Sequence, residues 1–178
     1  MQSYLFCLST WTVLTKLASK IIRRKHVSYV SMLHSGSCIY LLSTNNDQLA
    51  TINTVAYFTN DLMNIVHTDY YSIQNKCIFS FHHIISIVAL VSVQDGNQLY
   101  LMMLNTFYDI EMSNLVLYAY YLMSKIANQQ TLAICNGLEA LMYGYYRVGI
   151  IKHCYNELLY NTSEHYTQSV LFLAMYSF

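Results

Sequence analysis

The stretch Cys77–Gln94 contains no Asp, Glu, Lys or Arg, yet it carries two adjacent histidines, His82 and His83. Its length is close to the ~20 residues a helix needs to cross a bilayer. Ionisable side chains are costly in hydrocarbon, so a pair retained there marks a functional site by default. Such groups face a bundle interior rather than lipid. The chain is thereby confined to folds in which apolar helices enclose that pair.

The rest of the sequence agrees. The 178 residues suffice for one domain, 55% of them are hydrophobic and only 10% are charged, against about 25% charged in an ordinary soluble domain. That is too little charge to coat a globular surface, which favours lipid as solvent over the alternative of a soluble all-α protein with a greasy core. Most of the polar content is Ser, Thr, Asn, Gln and Tyr, which intramembrane helices tolerate. The 18 tyrosines suit the membrane–water interface. The net charge is zero, and the sole basic cluster is Arg23-Arg24-Lys25, which excludes the broad basic face of a nucleic-acid binder. Five cysteines without a CxxC or zinc-finger spacing read as free, buried thiols.

With no proline anywhere, polar breaks punctuate the chain into seven segments. They are Ser3–Ile22, Ser28–Thr44, Leu49–His67, Cys77–Val93, Gln98–Met123, Gln130–Ile151 and His165–Phe178. Short connections between them imply antiparallel neighbours. The expected fold is an all-α integral membrane protein of about seven helices. The first apolar stretch precedes its basic residues, as in a retained span rather than a cleaved leader. With the N-terminus lumenal, the cytosolic connections hold Arg23, Arg24, Lys25, Lys76 and Lys125. The opposite ones hold Asp47, Asp95, Glu157 and Glu164, with Lys152 as the exception, in the alternation of the positive-inside rule. The sequon Asn161-Thr162-Ser163 falls on the lumenal side in this scheme.

Helical rise turns these spans into depths. His82 lies roughly 9 Å in from Lys76, Asp61 about 12 Å in from Asp69, His34 roughly 9 Å beyond Ser28 and Glu139 about 14 Å beyond Gln130. Four segments thus place an ionisable group in one layer, with Glu111 nearer mid-membrane and Arg147 toward the lumenal end. His82 and His83 differ by about 100° around a helix, so at most one points straight into a central cavity. Neutral imidazole can serve as base, nucleophile or ligand, tuned by a nearby carboxylate. The bland alternative is interhelical hydrogen bonding without chemistry. Membrane di-iron sites use several H-x-x-H-H boxes, and a single unspaced pair does not match them, so neither metal nor cofactor is expected.

Several short motifs occur in a familiar order: Val27-Ser28 through His34-Ser35, Ala56-Tyr57-Phe58-Thr59-Asn60-Asp61, His82-His83, Glu111-Met112-Ser113-Asn114, and Asn136-Gly137 through Arg147. In this order the chain resembles the TLC-domain family of polytopic membrane proteins, which includes ceramide synthases and several non-synthase relatives. The resemblance implies a six-helix barrel of two inverted three-helix repeats, residues 27–178, preceded by one N-terminal helix, residues 1–26. It implies a lipid-sized cavity around the paired histidines, in an endoplasmic-reticulum or other endomembrane protein. Ceramide synthases carry Asp-x-Ser-Asp where this chain has Glu111-Met112-Ser113-Asn114, and an amide replaces neither a proton acceptor nor an orienting charge. In that respect the chain looks closer to the small non-synthase members, which are associated with lipid composition or trafficking. The last segment, about 21 Å of helix, is short of a ~30 Å hydrocarbon core.

Three functions follow as expectations. The first is binding or sensing of a membrane lipid or acyl chain, through His34, Asp61, His82, Asn114, Glu139 and Arg147. The second is acyl transfer from acyl-CoA to an amine, with His82 or His83 as nucleophile or base and Asp61 or Glu111 as the orienting carboxylate. The third is a structural membrane protein without a ligand.

Overall fold

The computed structural model describes residues 1–22, 26–69, 71–92, 98–124 and 128–160, with the backbone alone at 98–102 and 153–160. The described residues form six α-helices and no strand: α1 (Gln2–Ile22), α2 (His26–Ser43), α3 (Asp47–His67), α4 (Ile73–Ser92), α5 (Gln98–Met123) and α6 (Gln129–Tyr160). The all-α expectation holds in that form. The seventh segment, His165–Phe178, the Asn161 sequon and the Arg23-Arg24-Lys25 cluster lie outside the described residues.

Local chemistry explains where the helices begin and end. The α2 terminus has no glycine, so Asn45 takes the left-handed conformation at φ 56°. The Asn46 N–H then reaches Leu41 O at 2.9 Å and the Asn45 N–H reaches Leu42 O at 3.1 Å, a Schellman closure. Ser72 accepts the Asn75 N–H at 3.3 Å and Asn128 accepts the Thr131 N–H at 2.8 Å, capping α4 and α6. That cap starts α4 at Ile73, ahead of the expected Cys77, because Gln74, Asn75 and Lys76 are polar but helix-compatible. Similarly α6 runs on to Tyr160 instead of stopping near Ile151. Neither proline nor glycine interrupts that stretch, and polarity alone does not end a helix.

The helices pack as a row α4, α3, α2, α5, α6, with α1 laid against α3 and α2. A ladder of polar contacts fastens α1 to α3: Trp11 Nε1 to Asn53 Oδ1 at 3.0 Å, Tyr4 OH to Thr59 Oγ1 at 3.2 Å, and Asn60 to Thr12 and Thr15 at 3.2 and 3.0 Å. Asn53 also donates to Ser37 Oγ of α2 at 3.0 Å. Such bonds fix register between apolar helices, so part of the polar content does serve as interhelical glue. Trp11 sits at the centre of this junction, 4% exposed.

The core is thin and the outer surface is greasy. Phe6, Ile73, Leu141, Tyr145 and Val148 are all more than 60% exposed, as 72, 82, 72, 77 and 66%. Two helices, α1 and α4, are long and apolar enough to cross a membrane, and within those windows only 17% and 22% of residues are buried. The cysteines divide: Cys7 and Cys38 are free and buried, whereas Cys77 is exposed and Cys135 half-buried. Burial of all the thiols within the spans was too broad an expectation, because Cys77 falls on the outer side of the first turns of α4.

Candidate functional site

A cavity of ≈ 510 Å³ lies among α2 to α6, within the range of about 300–1,000 Å³ typical of small-ligand sites. The five short motifs of the sequence all contribute to its wall. His34 comes from α2, Asp61 from α3, His82 and His83 from α4, Glu111 and Asn114 from α5, and Arg147 from α6. Glu139 does not line it. It precedes Tyr143, the first α6 residue on the wall, by one turn, and Arg147 by about 12 Å of helix. The remaining wall is mostly apolar and aromatic.

The best-defined contact is between α3 and α4. His83 Nε2 lies 2.9 Å from Asp61 Oδ2, with side chains 10% and 19% exposed. Phe58, one turn before Asp61, sets its ring 4.8 Å from that of His83, so a packed face and a carboxylate together hold this imidazole. His82 lines the same cavity, its ring 5.4 Å from His83. Both histidines therefore reach the wall, and the 100° between them separates their roles. His83 is oriented by Asp61, while His82 makes no side-chain hydrogen bond with the described residues. The Nδ1 atoms of both are buried without a hydrogen-bond partner among the described residues.

Across the cavity Glu111 is 2% exposed. It accepts the Ser35 hydroxyl at 2.5 Å, with His34 Nδ1 3.8 Å from its other oxygen. His34 is closed in on every side. It stacks on Tyr57 at 3.9 Å, meets Trp11 edge-on at 5.7 Å, and has Cys38 Sγ and Thr54 Oγ1 at 3.2 and 3.3 Å from Nε2. That enclosure makes it a strut for Glu111 as much as a cavity group. Asn114 accepts from Arg147 Nη2 at 3.3 Å. An amide oxygen accepts from the guanidinium without neutralising its charge, which a second carboxylate at this position would do.

Sequence reasoning did not single out Trp11, Ser31 or Tyr118, and it named Ser35 and Tyr57 only as members of short motifs, without a role. Ser31 and Tyr57 hydroxyls are 2.8 Å apart on the wall between α2 and α3. Their signal was weak, since a serine or tyrosine in an apolar helix looks the same whether it faces a cavity or a neighbour. A smaller cavity of ≈ 220 Å³ adjoins the first and shares Val27, Asp61, Ile65 and Tyr71 with it. It lies at the bundle end formed by the start of α2 and the α3–α4 connection.

Among the described residues no group of three or more His, Cys, Asp or Glu is arranged to hold a metal ion. What the arrangement offers is a carboxylate-oriented imidazole, a second imidazole beside it, and a guanidinium opposite. Such a set can grip a polar head group or move a proton at its edge. Comparison with protein-family models, curated proteins and solved structures returns no match.

Proposed function

We propose that this chain is a multi-pass endomembrane protein of the TLC-domain type whose cavity binds a membrane lipid, and that it acts by sensing or partitioning that lipid, not by converting it. The observation that carries the reading is the meeting of all five short motifs on one ≈ 510 Å³ cavity. They are spread over five helices, and nothing in their sequence separation requires them to converge. The exposed apolar surface supports a lipid surround, because soluble monomers rarely leave such area open to water. The two candidate spans support it as well. On this reading the smaller cavity at the α3–α4 end is the entry side, on the face the charge pattern assigns to the cytosol.

One observation favours a second reading. The Asp61–His83 contact at 2.9 Å, with a His82 alongside whose ring makes no hydrogen bond among the described residues, is the geometry of an oriented base, and it suits acyl-CoA-dependent N-acyl transfer. Asn114 weighs against it, since the amide removes the second carboxylate. The deciding experiment supplies labelled acyl-CoA and a sphingoid base to purified protein, wild type beside His82→Ala/His83→Ala. The lipid-binding reading expects retained lipid and no N-acyl product. Product formed by wild type and absent from the double variant would establish the transferase instead.

A further inference from the structure

The cavity wall has its carboxylates engaged and its basic groups short of partners. Asp61 is bonded to His83 at 2.9 Å, and Glu111 accepts from Ser35 and faces His34. Arg147, by contrast, is the only lysine or arginine on the wall among the described residues. Its guanidinium gives one hydrogen bond, to the neutral Asn114, and stands 4.9 Å over the Tyr143 ring. Among the described residues its Nε is buried without an acceptor, and the Nδ1 atoms of His82 and His83 are buried without a hydrogen-bond partner. Arg147 has no ion-pair partner among the described residues. Its charge acts on His82 and on the Glu111 carboxylate, the latter without forming an ion pair.

A partly buried guanidinium whose donors go unused is costly, and an acceptor that fills them recovers that cost. The planar fork matches the two oxygens of a carboxylate or phosphate. Asp61 and Glu111 each already hold a donor, whereas the Arg147 donors are largely unfilled, so an anionic head gains more on this wall than a cationic one. Building on the lipid-binding reading, we propose that the occupant is a lipid with an oxyanion head, carboxylate or phosphate. The head is seated on Arg147 with Asn114 and His82 beside it, and the chain lies along the apolar wall toward Phe79 and Ile65.

The test uses the full chain in a neutral detergent and four ligands with one chain and different heads: hexadecanoate, monohexadecyl phosphate, hexadecanol and hexadecylamine. At least one oxyanion should bind about tenfold or more tighter than the alcohol, and the two anionic arms tell a carboxylate site from a phosphate site. Arg147→Gln should erase that preference while alcohol binding persists, and Arg147→Lys should keep part of it. Equal affinity for the alcohol, preference for the amine, or an undiminished preference in Arg147→Gln would each overturn the assignment. Should Arg147→Gln not fold, the wild-type ranking of the four heads decides alone. If alcohol or amine binds without an anionic preference, only this inference falls. If none of the four binds to folded protein, the lipid-binding reading falls with it.

Discussion

His83 Nε2 and Asp61 Oδ2 stand 2.9 Å apart, tying α4 to α3 at the wall of the cavity. Both side chains are largely shielded from solvent. The contact both fixes the imidazole and joins two helices. A double-mutant cycle with Asp61→Asn and His83→Gln, followed by thermal unfolding in detergent, should give a coupling of about 1–3 kcal/mol, as for a shielded hydrogen bond to a charged group. Additivity within about 0.5 kcal/mol would mean the pair does not interact in the folded protein.

Trp11 is the keystone of the α1–α3 junction and backs His34 and Tyr57. Trp11→Phe loses the 3.0 Å bond to Asn53 and should cost about 1 kcal/mol. Trp11→Ala also empties the ring's volume and should cost about 3–5 kcal/mol. Unfolding of the two variants side by side checks the ratio. Equal effects would mean the ring does not brace the site.

Leu141 is 72% exposed on α6, so Leu141→Lys separates two solvents. On a soluble protein an exposed substitution usually changes stability within about 0.5 kcal/mol. At the centre of a lipid-facing helix, a lysine costs about 2.5–3.5 kcal/mol of insertion. Glycosylation mapping of α6 in microsomes should therefore show a marked drop in insertion for the variant.

The helices were legible because hydrophobic runs and the breaks between them were sharp: α1, α3 and α5 follow the sequence segments within about two residues. The ends of α4 and α6 were not, since hydropathy marks where a helix leaves the membrane and caps mark where it stops. The pairing of His83 with Asp61 was foreshadowed by similar depth along two helices. Exclusion of Glu139 was not, because depth says nothing of azimuth. Trp11 escaped notice, and so did the role of Ser35 within its motif, for a further reason. Their roles lie in contacts with helices distant in sequence, Ser35 meeting Glu111 across 76 positions, and no local pattern encodes such a meeting.

Asn114 distinguishes this site from one built on two carboxylates. Asn114→Asp should place a carboxylate 3.3 Å from Arg147 Nη2, where Asn Oδ1 now sits, and satisfy the guanidinium internally. Binding of an anionic lipid should then weaken by about tenfold, with no gain of acyl transfer. Retention assays with hexadecanoate and turnover assays with acyl-CoA check the two halves.

The central claim is that a lipid occupies the cavity among α2 to α6. Ser86 is 1% exposed and lines the cavity, so Ser86→Phe fills it from within. The most direct measurement is native mass spectrometry of the full chain released from a mild detergent, wild type beside Ser86→Phe, with circular dichroism confirming that both are folded. The account predicts a bound lipid mass on the wild type that is lost or strongly reduced in the variant. Folded wild type that carries no lipid, or equal lipid on both proteins, would contradict it.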